Sequence, residues 1–246
     1  MSGHGLSAII IGNEVLSAKV VEQNGAHLIS ELRRHGMPLQ RMLFVPDEID
    51  AIVEAVSLAR RVSKWVITSG GIGPTHDDIT VRAVSLALGR RVVRLPQLEE
   101  GVRRYYGARA TAEAMRLADA PEGAELLTRT GVWYPVLSCD GVFMLPGVPQ
   151  LFRLQLETVL QRLPSAKLVT DVMYLRLTEP ELANVLDTAA LKMPDVAFGS
   201  YPQFDPTLDY RVKITIEAST PERAAEAGEF LRTRWPQDAI IRSERE

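Results

Sequence analysis

One segment constrains the architecture of this 246-residue chain more than any other: Val66-Ile67-Thr68-Ser69-Gly70-Gly71-Ile72-Gly73-Pro74-Thr75-His76-Asp77-Asp78-Ile79-Thr80. Trp65 to Thr68 is a short β-branched run of the kind that forms a buried parallel strand. Asp78 to Leu88 has helical spacing, and Gly89 would end that helix. The glycine-rich turn between them would lie at the carboxyl end of a strand, where open α/β sheets bind ligands. The segment therefore predicts a ligand site between a strand and a helix.

The composition of the turn indicates a phosphate group. Gly70, Gly71 and Gly73 have no Cβ, so their backbone can approach an anion closely or adopt positive φ, and Pro74 stiffens the exit. The start of the following helix would offer unpaired N–H groups to that anion. Because no lysine follows the glycines, the turn is not a Walker-type P-loop, and its spacing also differs from the G-x-G-x-x-G of dinucleotide folds.

Two adjacent carboxylates, Asp77 and Asp78, end the turn. They would repel a phosphate unless a cation lay between, which favours magnesium or a similar hard divalent metal. An alternative is structural, because Thr75 and Asp78 also fit the capping box of a helix start. Since neighbouring helical residues diverge by about 100°, we expect only one carboxylate to face the ligand. Asp78 is the preferred one.

The rest of the first 164 residues alternates between strand and helix patterns. Leu6 to Ile11 and Leu39 to Val45 are predicted strands, and Glu22 to His35 is a predicted helix. Another helix is predicted to start at Pro46-Asp47-Glu48. Such alternation is typical of right-handed βαβ units, so we predict an α/β domain with a largely parallel sheet flanked by helices.

Residues 168–246 form a second predicted domain after a boundary at Ser165 to Lys167. Their strand and helix patterns follow the order β-α-β-β-α-β, which predicts a small α+β domain. The segment has no G-x-x-G clamp and no excess of basic residues, so RNA binding is not expected. A packing or dimerisation module is the favoured interpretation.

Composition argues against several other classes of protein. The net charge of −3, with acidic and basic residues mixed, does not indicate a nucleic-acid-binding surface. Cys139 is the only cysteine, and there is neither a basic apolar leader nor a run of about 18 apolar residues. We therefore expect a cytoplasmic protein with no nucleic-acid or membrane partner.

Three motifs carry a resemblance to a known family. Gly70 to Thr80 resembles the G-G-x-G-P-T-x-D-D-x-T signature of the molybdopterin-binding (MoaB/Mog-like) domain, as found in competence/damage-inducible protein A (CinA) and eukaryotic FAD synthases. Ile11 to Ser17 resembles the family's G-D/N-E-x-L-S segment, with Asn24 at its usual place downstream. Leu145 to Pro149 resembles the L-P-G-V-P segment. The order of the three motifs is also that of the family.

The resemblance implies the MoaB/Mog-like fold for the first domain and a KH-like second domain. It also implies a homo-oligomer, with a dimer favoured because C₂ dimers are the commonest soluble assembly. The printed sequence has no counterpart of the C-terminal amide-hydrolysing domain of full CinA proteins, so deamidation of nicotinamide mononucleotide is not expected.

The activity implied by the resemblance is a metal-dependent hydrolysis of the pyrophosphate of an ADP-containing compound, of the ADP-ribose or FAD class. One alternative is a non-catalytic binder of a phosphorylated pterin or nucleotide. Another is adenylyl transfer to molybdopterin in the biosynthesis of the molybdenum cofactor.

Site residues are carried over on the matching motifs. Asp78, Asp77 and Asp47 are the expected catalytic residues, and Asp78, Asp77 and Glu14 are the expected metal ligands. Asp47 matches an acidic position that molybdopterin-inserting relatives use catalytically, although a helix cap explains it equally well. The expected ligand-binding residues are Gly12, Asn13, Glu14, Ser17, Ser69, Gly70, Gly71, Gly73, Pro74, Thr75, Thr80 and Gly147.

One region departs from the family. Ala114 and Leu117 stand where CinA-like chains usually have asparagine and glutamine, and Gly131-Val132-Trp133-Tyr134-Pro135 replaces a frequent G-T-A-P-G turn. Trp133 and Tyr134 could stack on an aromatic base, but burial in a core or interface is the favoured interpretation.

Overall fold

A computed structural model describes residues 5–37 and 39–245 of the chain. The chain divides into two units, Met1–Ser165 and Ala166–Glu246. The described residues of the first unit form eight strands: Leu6–Ile11 (β1), Leu39–Val45 (β2), Trp65–Ser69 (β3), Val92–Arg94 (β4), Asp119–Pro121 (β5), Glu125–Arg129 (β6), Val132–Cys139 (β7) and Val142–Leu145 (β8). Its α-helices are Asn13–Leu16 (α1), Asn24–His35 (α2), Ile49–Val62 (α3), Thr80–Ala87 (α4), Pro96–Tyr106 (α5) and Pro149–Leu160 (α6).

Six of these strands form one sheet in the order β2-β1-β3-β8-β7-β6. The pairs from β2 to β8 are parallel, and β7 and β6 extend the sheet antiparallel. Every residue of β1 is buried, as expected for a parallel strand that helices cover on both faces. The prediction of a largely parallel α/β sheet flanked by helices is confirmed.

Alternate residues of β1 belong to two different cores. Ile9 and Ile11 pack in a cluster with residues of α3 and α4, whereas Leu6 and Ala8 pack in a cluster with residues of α2 and α6. Successive strand side chains point to opposite faces, so this single strand joins both layers of helices. Its carboxyl end is thereby fixed in position.

The second unit has the element order β-α-β-β-α-β and forms a four-stranded antiparallel sheet with two helices, which confirms the expected small α+β fold. A capping box formed by Thr178 and Glu181 starts its first helix. Its core is one cluster that includes Met173, Ile214 and Leu231. The elements are Val169–Leu175 (β9), Glu179–Lys192 (α7), Ala197–Pro202 (β10), Val212–Ala218 (β11), Pro221–Arg232 (α8) and Ile240–Arg245 (β12).

Two predicted helix starts are wrong by two residues. The helix expected from Asp78 begins at Thr80, and the helix expected from Glu22 begins at Asn24. In both cases a carboxylate before the helix accepts a hydrogen bond from a backbone N–H three residues away: Asp78 from Thr75 at 2.7 Å, and Glu22 from Gly25 at 2.7 Å. Such local side-chain bonds compete with helical geometry, so the acidic residues remain in the preceding turn.

The turn after β3 is held by its own glycines and by the first residue of α4. Gly70 has φ +107°, and a Cβ there would collide with the carbonyl oxygen of Ile11. Thr80 is fully buried; its hydroxyl donates to the Gly70 carbonyl at 2.8 Å and its N–H donates to the Gly71 carbonyl at 2.9 Å. The two hydrogen bonds of Thr80 therefore hold the start of the turn against the start of α4.

Replacing Gly70 by alanine is expected to destabilise the first unit by at least about 1–3 kcal/mol, because alanine at this φ is strained and its Cβ has no room. Gly101→Ala is the matched control. Gly101 lies inside α5 with open space around a Cβ, so the same change should stabilise the chain by about 0.5–1 kcal/mol. Urea unfolding followed by circular dichroism measures both; a Gly70→Ala variant as stable as wild type would contradict the prediction.

Replacing Thr80 by valine keeps the shape of the side chain and removes its hydroxyl. The buried Gly70 carbonyl then loses its donor, and we expect a loss of about 1–3 kcal/mol in the free energy of unfolding. Thr188→Val, which removes a half-exposed hydroxyl that donates to Asn184 in α7, should cost much less because water replaces that bond. Equal losses in the two variants would show that burial of the bond is unimportant.

Candidate functional site

A cavity of about 700 Å³ lies where β1, β3 and β8 end. This is the carboxyl edge of the parallel strands, where the topology of an open sheet leaves a crevice. The lining includes four carboxylates together with aromatic and aliphatic side chains. The lining residues are Ile11, Glu14, Asp47, Gly70, Gly71, Ile72, Gly73, Pro74, Asp77, Asp78, Tyr105, Tyr106, Leu117, Gly131, Val132, Trp133, Tyr134, Pro146, Gly147, Val148, Leu151, Leu154 and Gln155.

Asn24 joins the loops after β3 and β8. Its side-chain Nδ2 donates to the Ser69 hydroxyl at 2.9 Å and to the Gly147 carbonyl at 2.8 Å. A Cβ on Gly147 would lie 3.4 Å from the Gly70 Cα, so the two loops are already in close contact. Asn24 and Ser69 are buried, and their polar groups hold the loops together from beneath the cavity.

Free backbone donors lie in the glycine turn. Within residues 5–37 and 39–245, the N–H groups of Gly71, Ile72 and Gly73 donate to no protein acceptor. Successive N–H groups of this kind form a concave nest for an anion. Ile72 was absent from the predicted ligand residues because its side chain carries no chemical signal; only its backbone contributes.

Four carboxylates, those of Glu14, Asp47, Asp77 and Asp78, line the same cavity. Both Asp77 and Asp78 line the cavity, because both lie in a turn and the divergence of neighbouring helical residues does not apply to them. Among the described residues that line the cavity there is no lysine or arginine. The acidic part of the cavity therefore carries negative charge that no protein cation of the lining offsets.

Thr75 orients the paired carboxylates. Its hydroxyl lies 2.5 Å from Asp77 Oδ1 and 2.5 Å from Asp78 Oδ2, and its N–H donates to Asp78 Oδ2 at 2.7 Å. The hydrogen bond from Thr75 holds the pKa of Asp77 below its ordinary value, so this carboxyl stays ionised into acidic solution. The pairing of Thr75 with Asp78 that resembled a capping box does form, but it closes the turn before the helix.

Asp47 has a different neighbour from the one its sequence position suggested. Its Oδ2 accepts the backbone N–H of Asn13 at 2.8 Å, and the cap position of α3 is occupied by Glu48. The cap interpretation of Asp47 is therefore wrong. The bond joins the loop after β2 to the start of α1, which places Asp47 and Glu14 on one wall of the cavity.

The side chains available as metal ligands determine which kind of metal ion the site could bind. No group of three or more His, Cys, Asp or Glu side chains within the described ranges is arranged to hold a metal ion. Magnesium is commonly held by only one or two carboxylates together with phosphate oxygens of the ligand and water. The four carboxylates thus fit a metal that arrives with a phosphorylated ligand better than a permanently bound one.

Several predicted ligand residues lie outside the cavity lining. Ser69 and Thr80 are buried and serve internal hydrogen bonds, and the Ser17 hydroxyl donates to the Asn13 carbonyl at 2.7 Å. Gly12 is buried, and a Cβ there would lie 2.6 Å from Glu14 Oε1. The predicted residues that do line the cavity are Glu14, Asp47, Gly70, Gly71, Gly73, Pro74, Asp77, Asp78 and Gly147.

The aromatic part of the lining contains a residue that sequence reasoning missed. Tyr105, in the last turn of α5, stacks on Trp133 of β7 with ring centroids 4.2 Å apart and planes inclined by 9°. Tyr106 meets Trp133 edge to face at 5.8 Å. Tyr134 is buried, and burial raises its pKa above the ordinary value. Nothing in the spacing of Tyr105 predicts the stack, because α5 and β7 meet only in the folded chain.

Comparison with known proteins matches both parts of the chain. Residues 7–165 match the family model described as a probable molybdopterin binding domain, and residues 167–244 match the model of the FAD synthase middle domain. None of the helices within the described ranges has the length and apolar character required to cross a membrane.

Individual relatives are consistent with these family models. A protein of Aeropyrum pernix is 35% identical over 233 residues, covering 88% of this chain and 86% of that protein. A CinA-like protein of a Geobacter species is 32% identical over 197 residues, covering 75% of this chain but only 47% of that protein. This chain therefore matches less than half the length of the Geobacter relative.

A solved structure agrees with the fold. The crystal structure of CinA, a protein with unknown function from Thermoplasma acidophilum, superimposes with a TM-score of 0.62 at 29% sequence identity. The alignment covers 66% of this chain and 99% of that one. Since the matching family model spans more than half of the sequence, the chain belongs to the molybdopterin-binding (MoaB/Mog-like) domain family, in its CinA-like form.

Proposed function

We propose that this chain is a divalent-metal-dependent pyrophosphohydrolase of an ADP-containing compound, of the ADP-ribose or FAD class. One observation carries the proposal: unpaired N–H groups of the glycine turn and four carboxylates line the same cavity. The N–H groups attract phosphate, whereas the carboxylates repel it. A ligand phosphate that brings a divalent cation satisfies both, and pyrophosphates of nucleotides carry magnesium in this way.

Backbone N–H groups and carboxylates would have different roles in this reaction. The N–H groups of Gly71, Ile72 and Gly73 would hold phosphate oxygens and stabilise the charge that develops on them. Asp78 and Asp77 would hold the metal, with Thr75 fixing the orientation of both carboxylates. A divalent metal in this position supplies Lewis acidity and lowers the pKa of bound water.

The reaction adds water across the pyrophosphate. The water oxygen bonds to one phosphorus as the water loses a proton, and the bridging oxygen leaves with the other phosphate. From ADP-ribose the products are AMP and ribose 5-phosphate. Asp47 and Glu14, which also line the cavity, would accept the proton or hold the attacking water.

A specific observation favours a second candidate, a protein that binds a phosphorylated pterin or nucleotide without hydrolysing it. Oxygens of Asp77 and Asp78 accept hydrogen bonds from Thr75, and no three-residue metal cluster is formed within the described residues. Such a site could recognise a magnesium-bearing ligand and lack the groups for turnover. Binding without product release distinguishes this candidate from the hydrolase.

The first test is AMP release by the purified protein from ADP-ribose and from FAD, with magnesium, cobalt or EDTA. We expect release that needs the metal and that falls by at least about 100-fold in Asp78→Asn, which keeps the shape of the side chain and removes its charge. Asp50→Asn is the matched control because Asp50 is exposed on α3, away from the cavity, and it should retain full activity.

Absence of AMP in every condition, combined with ligand binding that persists by calorimetry, would refute the hydrolase and support the binder. Loss of AMP release in Asp50→Asn as well as in Asp78→Asn would show that general charge, and not this site, governs the activity. The native mass of the same preparation tests the predicted homo-oligomer.

A further inference from the structure

Part of the cavity lining is apolar and exposed to solvent. Val148, Leu151 and Leu154 line it with exposed fractions of 53%, 40% and 40%. The last two lie on α6, and Val148 is its cap residue. A concave surface with several exposed apolar side chains beside a polar anchor is typical of the part of a site that holds the organic portion of a ligand.

Tyr105 is the most unusual side chain of this part of the lining. It is 55% exposed although it is aromatic and lines a cavity. Trp133 covers one face of its ring in a near-parallel stack at 4.2 Å, and Tyr106 meets it edge to face at 5.1 Å. No other ring of the described residues stacks parallel on Tyr105. Since Trp133 covers one face of a residue that is still 55% exposed, the exposed area belongs largely to the second face and the ring edges.

The backing of Tyr105 makes it a rigid platform. Trp133 is itself held by Tyr134, whose ring lies 5.3 Å away and is buried in the core. The backbone of Tyr134 is fixed in turn by Gln155 of α6, whose Nε2 donates to the Tyr134 carbonyl at 2.8 Å. A side chain held in this way loses little conformational entropy when a ligand stacks on it.

We infer that Tyr105, backed by Trp133, binds the fused aromatic ring of a purine-class heterocycle, while the glycine turn and carboxylates of the same cavity bind its phosphate. The inference rests on the proposed function for the phosphate end, and it adds the part of the ligand that confers specificity. Stacking on an aromatic side chain is strong for fused rings, since it grows with the area of overlap. The ligand would then lie along the cavity with its ring on α5 and β7.

Titration of tryptophan fluorescence tests the ring site without requiring catalysis. AMP should change the emission of the wild-type protein, whereas ribose 5-phosphate, which has no ring, should not. The emission change should disappear in Trp133→Phe, which leaves Trp65 and Trp235 in place. UMP, with its single smaller ring, should bind more weakly than AMP.

Substitution of Tyr105 gives the quantitative result. We expect Tyr105→Ala to weaken AMP binding by about tenfold or more and Tyr105→Phe to keep it near wild type, because stacking needs the ring and not the hydroxyl. Phe204→Ala, which removes an aromatic side chain that is 91% exposed in the other unit, is the matched control and should leave binding unchanged. Calorimetry with inorganic pyrophosphate should give the same affinity in the wild type and in the Tyr105→Ala, Tyr105→Phe and Phe204→Ala variants.

The outcomes separate the ring site from the hydrolase. The ring site is overturned if Tyr105→Ala binds AMP as tightly as the wild type, or if it loses affinity for AMP and for pyrophosphate equally. It is also overturned if Tyr105→Ala hydrolyses ADP-ribose with an unchanged KM. In that last case the proposed hydrolase function stands. A selective loss of AMP affinity in a protein that hydrolyses nothing supports the ring site and refutes the hydrolase. A protein that binds neither AMP nor pyrophosphate refutes both.

Discussion

The close approach of three chain segments at Gly70 is the constraint on which the site depends. The Ile11 carbonyl at the end of β1 occupies the space that a Cβ of Gly70 would need, and Gly147 after β8 packs against the same residue. Thr80 and Asn24 then fasten these loops by hydrogen bonds from buried side chains. Because the backbone itself makes the contact, the N–H groups of the turn are presented at a fixed position. The cavity is the space that remains above this junction.

The lining of that cavity combines two kinds of surface. Four carboxylates and no basic side chain of the described lining make part of it strongly acidic, which favours an anion that brings a cation. The lining also has exposed aromatic and aliphatic side chains, and burying their apolar surface under a ligand would be favourable. A ligand that is polar and anionic at one end and flat and apolar at the other matches both kinds of surface.

The family motif and the segment that departs from the family contribute different parts of the cavity lining. The glycine turn from Gly70 to Pro74 and the paired aspartates belong to the acidic part. The segment Gly131 to Pro135, which replaces the usual G-T-A-P-G turn, places Trp133 in the aromatic part. The chain therefore combines the glycine turn and paired aspartates of the family motif with an aromatic wall of its own composition.

Sequence alone predicted the fold class, the main strands and helices up to α4 and the element order of the second unit, because buried strands and amphipathic helices leave periodic patterns in the chain. It also determined the location of the glycine turn, since only glycine tolerates φ +107° beside a neighbouring carbonyl. It failed where a side-chain hydrogen bond overrides helical spacing: Thr75 keeps Asp77 and Asp78 in a turn, so both carboxylates reach the cavity. The tertiary structure alone decided the partner of Asp47, the role of the Ile72 backbone and the stack of Tyr105 on Trp133. Each of these depends on residues far apart in the chain, and their meeting is set by sheet order and helix packing, which no local pattern encodes.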